Sequence, residues 1–92
     1  QLAEIVDAVG DKLDVICEGG IHRGTHMLKA LSLGAKACSG GRLYLYALAA
    51  GGQAGVERAI NQYRMELERG MKLMGCTKIS ELNRNNLRYR RA

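Results

Sequence analysis

Two short apolar segments, each followed by a pair of glycines, constrain the fold of this chain more than any other feature of its sequence. Residues 13–17 and 35–39 form the segments, and Gly19-Gly20 and Gly40-Gly41 follow them. Their length, and the β-branched residues of the first, are typical of buried strands that end in turns. Helical patterns lie between and after the segments, so the sequence predicts parallel strands joined by a helical crossover.

The helices are predicted from apolar residues that recur every three or four positions. The longest such stripe consists of Val56, Ile60, Tyr63, Leu67, Met71 and Met74. Shorter patterns predict helices at residues 2–9, 25–33 and 42–50. We expect Thr25 to cap the second helix, Gly51-Gly52 to break the chain before the long helix, and Thr77 to cap a last short helix.

The number of strands is too small for a complete fold of this kind. A parallel sheet is covered on both faces and carried by several strands, and a complete (β/α) barrel takes about 200 residues or more. The chain has 92 residues. We therefore predict an α/β fold that is part of a larger unit; a small complete domain is the alternative.

The positive charge is concentrated at the C-terminal end. The net charge is +5, and the last nine residues contain no acid but include Arg84, Arg88, Arg90 and Arg91. We divide the chain into a body, residues 1–82, and a basic tail, residues 83–92. One hypothesis is a small module whose tail docks on nucleic acid or an acidic partner. Because the tail has no motif that reads bases, we expect no nucleic-acid partner.

The cysteines and histidines form no recognisable metal or disulfide framework. An odd number of cysteines without a CxxC pair is typical of free thiols in a reducing, cytoplasmic compartment; they are Cys17, Cys38 and Cys76. His22 and His26 match no common zinc spacing, so we expect no metal. The longest apolar run, residues 43–50, is too short to span a bilayer, and we expect no transmembrane segment.

Both glycine pairs follow a predicted strand and precede a predicted helix. Glycine there permits a positive φ and a close approach of a ligand to the main chain. A helix start beyond each turn offers free N–H groups and the positive end of the helix dipole. Arg23 and Arg42 can add charge-assisted contacts. This pattern predicts a phosphate-group site; two tight turns without a ligand are the alternative.

The stretches "EIVDAVGDKLDVICEGGIHRGTHMLKALSLGAKACSGGRLYLYALAAGGQAGVERAI" and "MELERGMKLMGCTKISEL" carry a resemblance over residues 2–82. They resemble the C-terminal quarter of the FMN-dependent α-hydroxy-acid oxidases and dehydrogenases. The resemblance implies the last two units of a TIM (β/α)8 barrel, present as a fragment. It implies that residues 13–17 and 35–39 are the seventh and eighth strands, with the FMN phosphate between the two glycine turns.

The family's motif is Asp-Gly-Gly-[Ile/Val]-Arg-Arg-Gly with a later Gly-Arg pair. By resemblance, the cofactor-binding positions are Glu18, Gly19, Gly20, His22, Arg23, Gly41 and Arg42. Two of them depart from the motif. Glu18 is one methylene longer than the family's Asp, which faces the ribityl chain, and His22 stands where the family has a phosphate-binding arginine.

The resemblance implies an enzyme that oxidises a small 2-hydroxy acid such as L-lactate to the 2-oxo acid and passes the electrons to FMN. The family's catalytic block, Ser-Asn-His-Gly-x-Arg-Gln, is not found in this sequence and in the family lies just before the first helix seen here. We therefore assign no catalytic residue and expect this segment alone to be inactive. We expect it to self-associate or form a homo-oligomer, and the parent enzyme to be cytoplasmic or peripheral at the inner membrane.

Other phosphate-binding barrels share similar glycine turns. Type 2 isopentenyl-diphosphate isomerase and inosine monophosphate dehydrogenase are the alternatives within the same fold. The stretch "RLYLYALAAGGQAGVERA", residues 42–59, and the long helix after it favour the hydroxy-acid family.

Overall fold

A computed structural model describes residues 1–90 and shows helices and strands in alternation, followed by two 3₁₀ turns. The elements in chain order are α1 (Leu2–Val9), β1 (Ile16–Glu18), α2 (Gly24–Ser32), β2 (Ala37–Ser39) and α3 (Gly41–Met74). The 3₁₀ turns are Ile79–Glu81 and Arg84–Asn86. None of the described helices has the length and apolar character needed to cross a membrane.

The two strands form a parallel pair, and α2 is the crossover between them. Cys17 lies opposite Cys38, and Glu18 lies opposite Ser39. The predicted parallel strands and helical crossover are confirmed. The regular strands begin two or three residues later than predicted, although Lys36 N–H already donates to the Val15 carbonyl oxygen at 2.7 Å.

The helix α3 contains the break that the sequence predicted. Gly51 has φ −148° and ψ 15°, and Gly52 has φ 59° and ψ −144°, so neither continues the helix. Gly75 ends α3 in the left-handed conformation at φ 74°. The apolar segment before the break and the long helix after it are therefore distinct, as predicted, within one element.

The predicted caps are wrong in two places, and tertiary contacts explain the first. Arg23 is the N-cap residue of α2, so the helix begins one residue before Thr25. The Glu66 carboxylate of α3 accepts the first N–H of α2 and supplies the cap that Thr25 was expected to provide. The predicted last helix is a 3₁₀ turn, and the Thr77 hydroxyl hydrogen-bonds to the Glu81 carboxylate at 2.6 Å instead of capping.

A clamp between α2 and α3, formed by Arg23, Gly24 and Glu66, positions the crossover helix. Arg23 Nε donates to Glu66 Oε2 at 2.8 Å, and Gly24 N–H donates to Glu66 Oε1 at 2.8 Å. A Cβ on Gly24 would lie 2.6 Å from the Leu67 backbone nitrogen, so only glycine lets the two helices approach this closely. Glu66 is 8% exposed, and the arginine and the helix N-terminus together compensate its buried charge.

The core of the described residues is small, and one face of the sheet is open. The buried apolar residues are Ile21, Ala30, Ala35, Tyr63 and Leu82. Side chains alternate between the faces of a strand. Ile16 is 64% exposed on one face, and Cys17 is half-buried on the other. Because parallel sheets are normally covered on both faces, this geometry is consistent with a fragment of a barrel.

Part of the basic tail docks on the body. Arg84 forms an ion pair with Asp7 of α1 at 2.8 Å and donates to the Ala3 carbonyl oxygen at 3.2 Å. Arg88 and Arg90 are exposed, and Arg91 lies outside the described residues. The boundary at residues 82–83 stays a prediction.

The clamp predicts a specific pH dependence of stability. Arg23, the Gly24 N–H and Gln62 lower the pKa of Glu66 from 4.5 to about 2, against the opposing effect of burial. A lowered folded-state pKa contributes stability that is full above about pH 4.5 and is lost as the pH falls toward 2. We expect Glu66→Gln to lower the free energy of unfolding at pH 7 by about 1.5–3 kcal/mol and to flatten its decline in acid, measured by urea denaturation.

Glu68→Gln is the matched control for this prediction. Glu68 pairs with Arg64 at 3.1 Å, but it is 53% exposed. An exposed pair of this kind contributes about 0–1 kcal/mol. An acid limb of the stability curve that is equally steep in Glu66→Gln and in the wild type would contradict the role given to the clamp.

The open sheet face predicts self-association. Light scattering coupled to size exclusion is expected to show species larger than the monomer at micromolar concentration, because unpaired strand edges and exposed apolar side chains favour association. Ile16→Lys should shift the distribution toward the monomer. Asn61→Lys, which adds the same charge at an exposed helical position, should not. A wild-type chain that elutes only as a monomer would refute this prediction.

Candidate anion-binding site

The loops that follow the two strands lie side by side, because the strands are parallel and in register. Between them is a cavity of about 490 Å³. Its lining residues are Glu18, Gly19, Gly20, Ile21, His22, Ser39, Gly40, Gly41, Arg42, Leu43 and Tyr46. Six of the seven residues predicted to bind the cofactor are in this set; Arg23 is not.

The first glycine pair is required by the backbone. Gly19 has φ +103° and Gly20 has φ +71°, and a Cβ at either position would meet nothing within 4 Å. The positive φ predicted for this turn is confirmed. Residues with side chains rarely adopt these angles. Glycine is therefore needed here for its backbone conformation, and not because a side chain would lack room.

The second glycine pair has a different physical cause. Neither Gly40 nor Gly41 has a positive φ, and Gly40 sits at φ −113°. A Cβ on Gly40 would lie 2.5 Å from the Tyr63 hydroxyl oxygen. Glycine at position 40 therefore makes room for a side chain behind the turn. The expectation that both pairs use the same backbone conformation is wrong.

The N-terminus of α3 faces the cavity. Gly40 is its N-cap residue, and no side chain of the described residues caps it. The N–H groups of the first turn and the helix dipole make this end attractive to an anion. Arg42 is exposed in that first turn and has no hydrogen bond or ion pair to any other described side chain. Its guanidinium is free to contact an anion in the cavity.

The N-terminus of α2 is already occupied. Its first N–H is bound by Glu66, and Arg23 points its guanidinium to the same carboxylate. The hydrogen bond and the charge of Glu66 raise the pKa of Arg23 above its usual value. The basic residues that follow the two turns are therefore not equivalent: Arg42 lines the cavity, whereas Arg23 belongs to the clamp.

The two histidines hold the first loop. His22 N–H donates to Nδ1 of His26 at 3.1 Å, so the His26 ring acts as a cap on the loop backbone. His22 lines the cavity and His26 does not. Among residues 1–90, no group of three or more cysteine, histidine or acidic side chains comes together as a metal site would require.

Glu18 adds a negatively charged group to the cavity. Its carboxylate oxygen Oε1 would lie 3.4 Å from a Cβ on Gly41. A carboxylate accepts hydrogen bonds from hydroxyl groups and repels anions. The cavity therefore combines an acceptor for hydroxyl groups at Glu18 with donors for an anion at the α3 N-terminus and Arg42.

Sequence reasoning missed Tyr63 as a residue of the site region. It was placed in the apolar stripe of the long helix, and it is indeed buried at 5% exposure. Its hydroxyl donates a hydrogen bond to the Ile21 carbonyl oxygen in the first loop. A hydroxyl in an otherwise apolar stripe was the available signal, because a buried hydroxyl requires a partner.

Comparison with known proteins assigns the family. Residues 1–89 match the family model described as FMN-dependent dehydrogenase. The L-lactate oxidase of Nostoc is 46% identical over 82 residues, which cover 89% of this chain and 22% of the oxidase. The L-lactate dehydrogenase (cytochrome) of Saccharomyces cerevisiae is 53% identical over 72 residues, covering 78% of this chain and 12% of that enzyme.

Solved structures show the same likeness in three dimensions. The recombinant flavin-binding domain of baker's yeast flavocytochrome b2 matches 91% of this chain with a TM-score of 0.84 and 47% identity, over 23% of its own length. A soluble mutant of the membrane-associated (S)-mandelate dehydrogenase from Pseudomonas putida matches 97% of this chain with a TM-score of 0.90 and 35% identity, over 25% of its length.

The chain thus spans about a quarter or less of each of these relatives. The match to the family model nevertheless extends over nearly all of its residues, including both glycine turns and the long helix. The chain therefore belongs to the FMN-dependent dehydrogenase family.

Proposed function

We propose that this chain is the FMN-phosphate-binding segment of an oxidoreductase that oxidises a small 2-hydroxy acid to the 2-oxo acid. In this proposal β1 and β2, with the helices that follow them, are the last two units of a (β/α)8 barrel. The observation that carries the proposal is the cavity between the two glycine turns, which collects six of the seven motif residues.

The donors of the cavity suit a phosphate group. Gly19 and Gly20 are exposed and have left-handed backbone, which allows a ligand to approach the main chain, and the uncapped N-terminus of α3 adds its dipole. Arg42 supplies a fixed charge that can bind a phosphate through two hydrogen bonds. We therefore assign the phosphate grip to Gly19, Gly20, Gly41 and Arg42, with His22 as an additional donor.

The remaining groups of the cavity suit the polyol chain that joins the phosphate to the flavin ring. Glu18 can accept hydrogen bonds from the ribityl hydroxyls. When bound, FMN would supply the redox chemistry by accepting the two electrons released as the hydroxyl carbon of the substrate is oxidised. The contribution of these residues is to bind and orient the cofactor.

The substrate class rests on the relatives. L-lactate oxidase, L-lactate dehydrogenase (cytochrome) and the peroxisomal (S)-2-hydroxyacid oxidase of Arabidopsis thaliana all carry a 2-hydroxy acid in their names. We extend that class to the enzyme of which this segment forms part. His22 lines the cavity and His26 caps its first loop, and we assign neither of them a role as catalytic base.

His22, which stands where the family motif has an arginine, allows the first test of the proposed phosphate site. We expect the chain to bind FMN more tightly than riboflavin, which lacks the phosphate, in a titration followed by flavin fluorescence. His22→Arg should tighten FMN binding by about tenfold or more, because a charge-assisted hydrogen bond contributes about 1.5–3 kcal/mol. Riboflavin binding should not change.

Asn61→Arg is the matched control, since it adds the same charge at an exposed position of α3 that does not line the cavity. It should leave the preference for FMN over riboflavin where it is in the wild type. Equal affinity of the wild-type chain for the two flavins would refute the proposed phosphate site.

A substitution at Arg42 tests the same site by removing a proposed phosphate contact. Arg42→Gln is expected to weaken FMN binding by about tenfold or more while leaving riboflavin binding unchanged, because it removes the fixed charge at the α3 N-terminus. Arg88→Gln removes an equal charge from an exposed tail position and serves as the control in the same titration. A loss of similar size in both variants would indicate a general charge effect and not a phosphate contact.

A further inference from the structure

A single buried side chain, Tyr63, contacts both loops of the site from behind. Tyr63 lies on α3 and is 5% exposed. Its hydroxyl donates to the carbonyl oxygen of Ile21, 42 residues earlier in the chain and within the first loop. Ile21 lines the cavity, whereas Tyr63 does not.

The same hydroxyl lies against the second loop. A Cβ on Gly40 would come within 2.5 Å of the Tyr63 hydroxyl oxygen and within 3.1 Å of its ring carbon Cε2. The Tyr44 ring packs edge-to-face on the Tyr63 ring, at 6.1 Å between centroids and an interplanar angle of 85°. The ring is therefore held in place on one side while its hydroxyl end contacts the first loop and the second.

The hydrogen bond from the Tyr63 hydroxyl to the Ile21 carbonyl oxygen can hold the first loop at a fixed distance from α3. Burial, together with Tyr44, Cys38 and Glu66, raises the pKa of Tyr63, so its hydroxyl remains protonated and a donor at neutral pH. Ile21 is itself buried at 7% exposure. Removing the hydroxyl deprives a buried carbonyl oxygen of its donor, which favours rearrangement of the loop.

We infer that Tyr63 is a positioning residue that sets the separation of the two glycine turns, and thereby the fit of the site to a phosphate group. The second part of this inference rests on the proposed function. Tyr63 does not line the cavity; it acts through Ile21 and Gly40, which do.

The position of the Tyr63 hydroxyl also explains why residue 40 is glycine. Its backbone, at φ −113°, is open to residues with side chains, so the constraint comes from the Tyr63 hydroxyl and not from conformation. Gly40 and Tyr63 are therefore coupled. A larger residue at position 40 is compatible with the loop only when the tyrosine is replaced by a smaller side chain.

The first experiment compares Tyr63→Phe with Tyr44→Phe in the full chain. Tyr63→Phe should weaken FMN binding by up to about tenfold and leave riboflavin binding unchanged. It should also speed amide hydrogen exchange in both loops, at residues 19–23 and 40–42. Tyr44→Phe, which removes a hydroxyl from the neighbouring ring, should change neither measurement.

These readouts separate positioning from general stability. A variant that is only less folded would lose both flavins equally and would exchange faster throughout, and that result would overturn the inference. Unchanged FMN affinity and unchanged exchange in Tyr63→Phe would overturn it as well. If the wild-type chain does not prefer FMN to riboflavin, the proposed function fails on its own, and exchange in the two loops still decides whether Tyr63 sets their separation.

The second experiment tests the coupling of Gly40 and Tyr63. Gly40→Ala should speed exchange in both loops of the wild type, because its Cβ collides with the tyrosine hydroxyl. The same substitution made together with Tyr63→Leu should add little to the effect of Tyr63→Leu alone. Additive effects of the two substitutions would overturn the inference, since residues that do not contact one another add independently.

Discussion

The Glu66 carboxylate at the start of α2 is the contact on which the rest of the structure depends. It binds Gly24 N–H and Arg23 at once, although these residues lie more than 40 positions from Glu66 in the chain, and so joins the crossover helix to α3. Because it satisfies the α2 N-terminus internally, that end is closed to an external anion. The N-terminus of α3 has no such partner among the described side chains and is left for a ligand.

The two glycine turns show how one short motif can meet two physical demands. In the first turn the backbone enters the left-handed region, and only glycine does so without strain. In the second turn neither glycine has a positive φ, and glycine is needed at position 40 because Tyr63 occupies the space where a Cβ would lie. The turns look alike in sequence and lie at equivalent positions in the fold, yet their substitution tolerances differ.

The open face of the sheet and the small core have the same cause. The chain spans only about a quarter of the length of the relatives that share its fold. Ile16 projects from a face that no described element covers, although parallel sheets require cover on both sides. The local elements nevertheless have defined ends, at Gly51-Gly52 and Gly75, because glycine adopts the non-helical angles seen there without help from distant residues. These residues therefore determine their own helix ends and strand positions, but they do not supply the side chains that would cover the open face of the sheet.

The order of elements, the helix break, the left-handed first turn and the place of the cavity could all be predicted from the sequence. They depend on periodicity and on glycine, which act within a few residues. The unequal roles of Arg23 and Arg42 could not, because each is simply a basic residue that follows a glycine pair. Tertiary structure separated them by bringing Glu66 to one and an open cavity to the other. It likewise assigned Tyr63 to the loops, since the partner of a buried hydroxyl is set by long-range packing and not by neighbours in the chain.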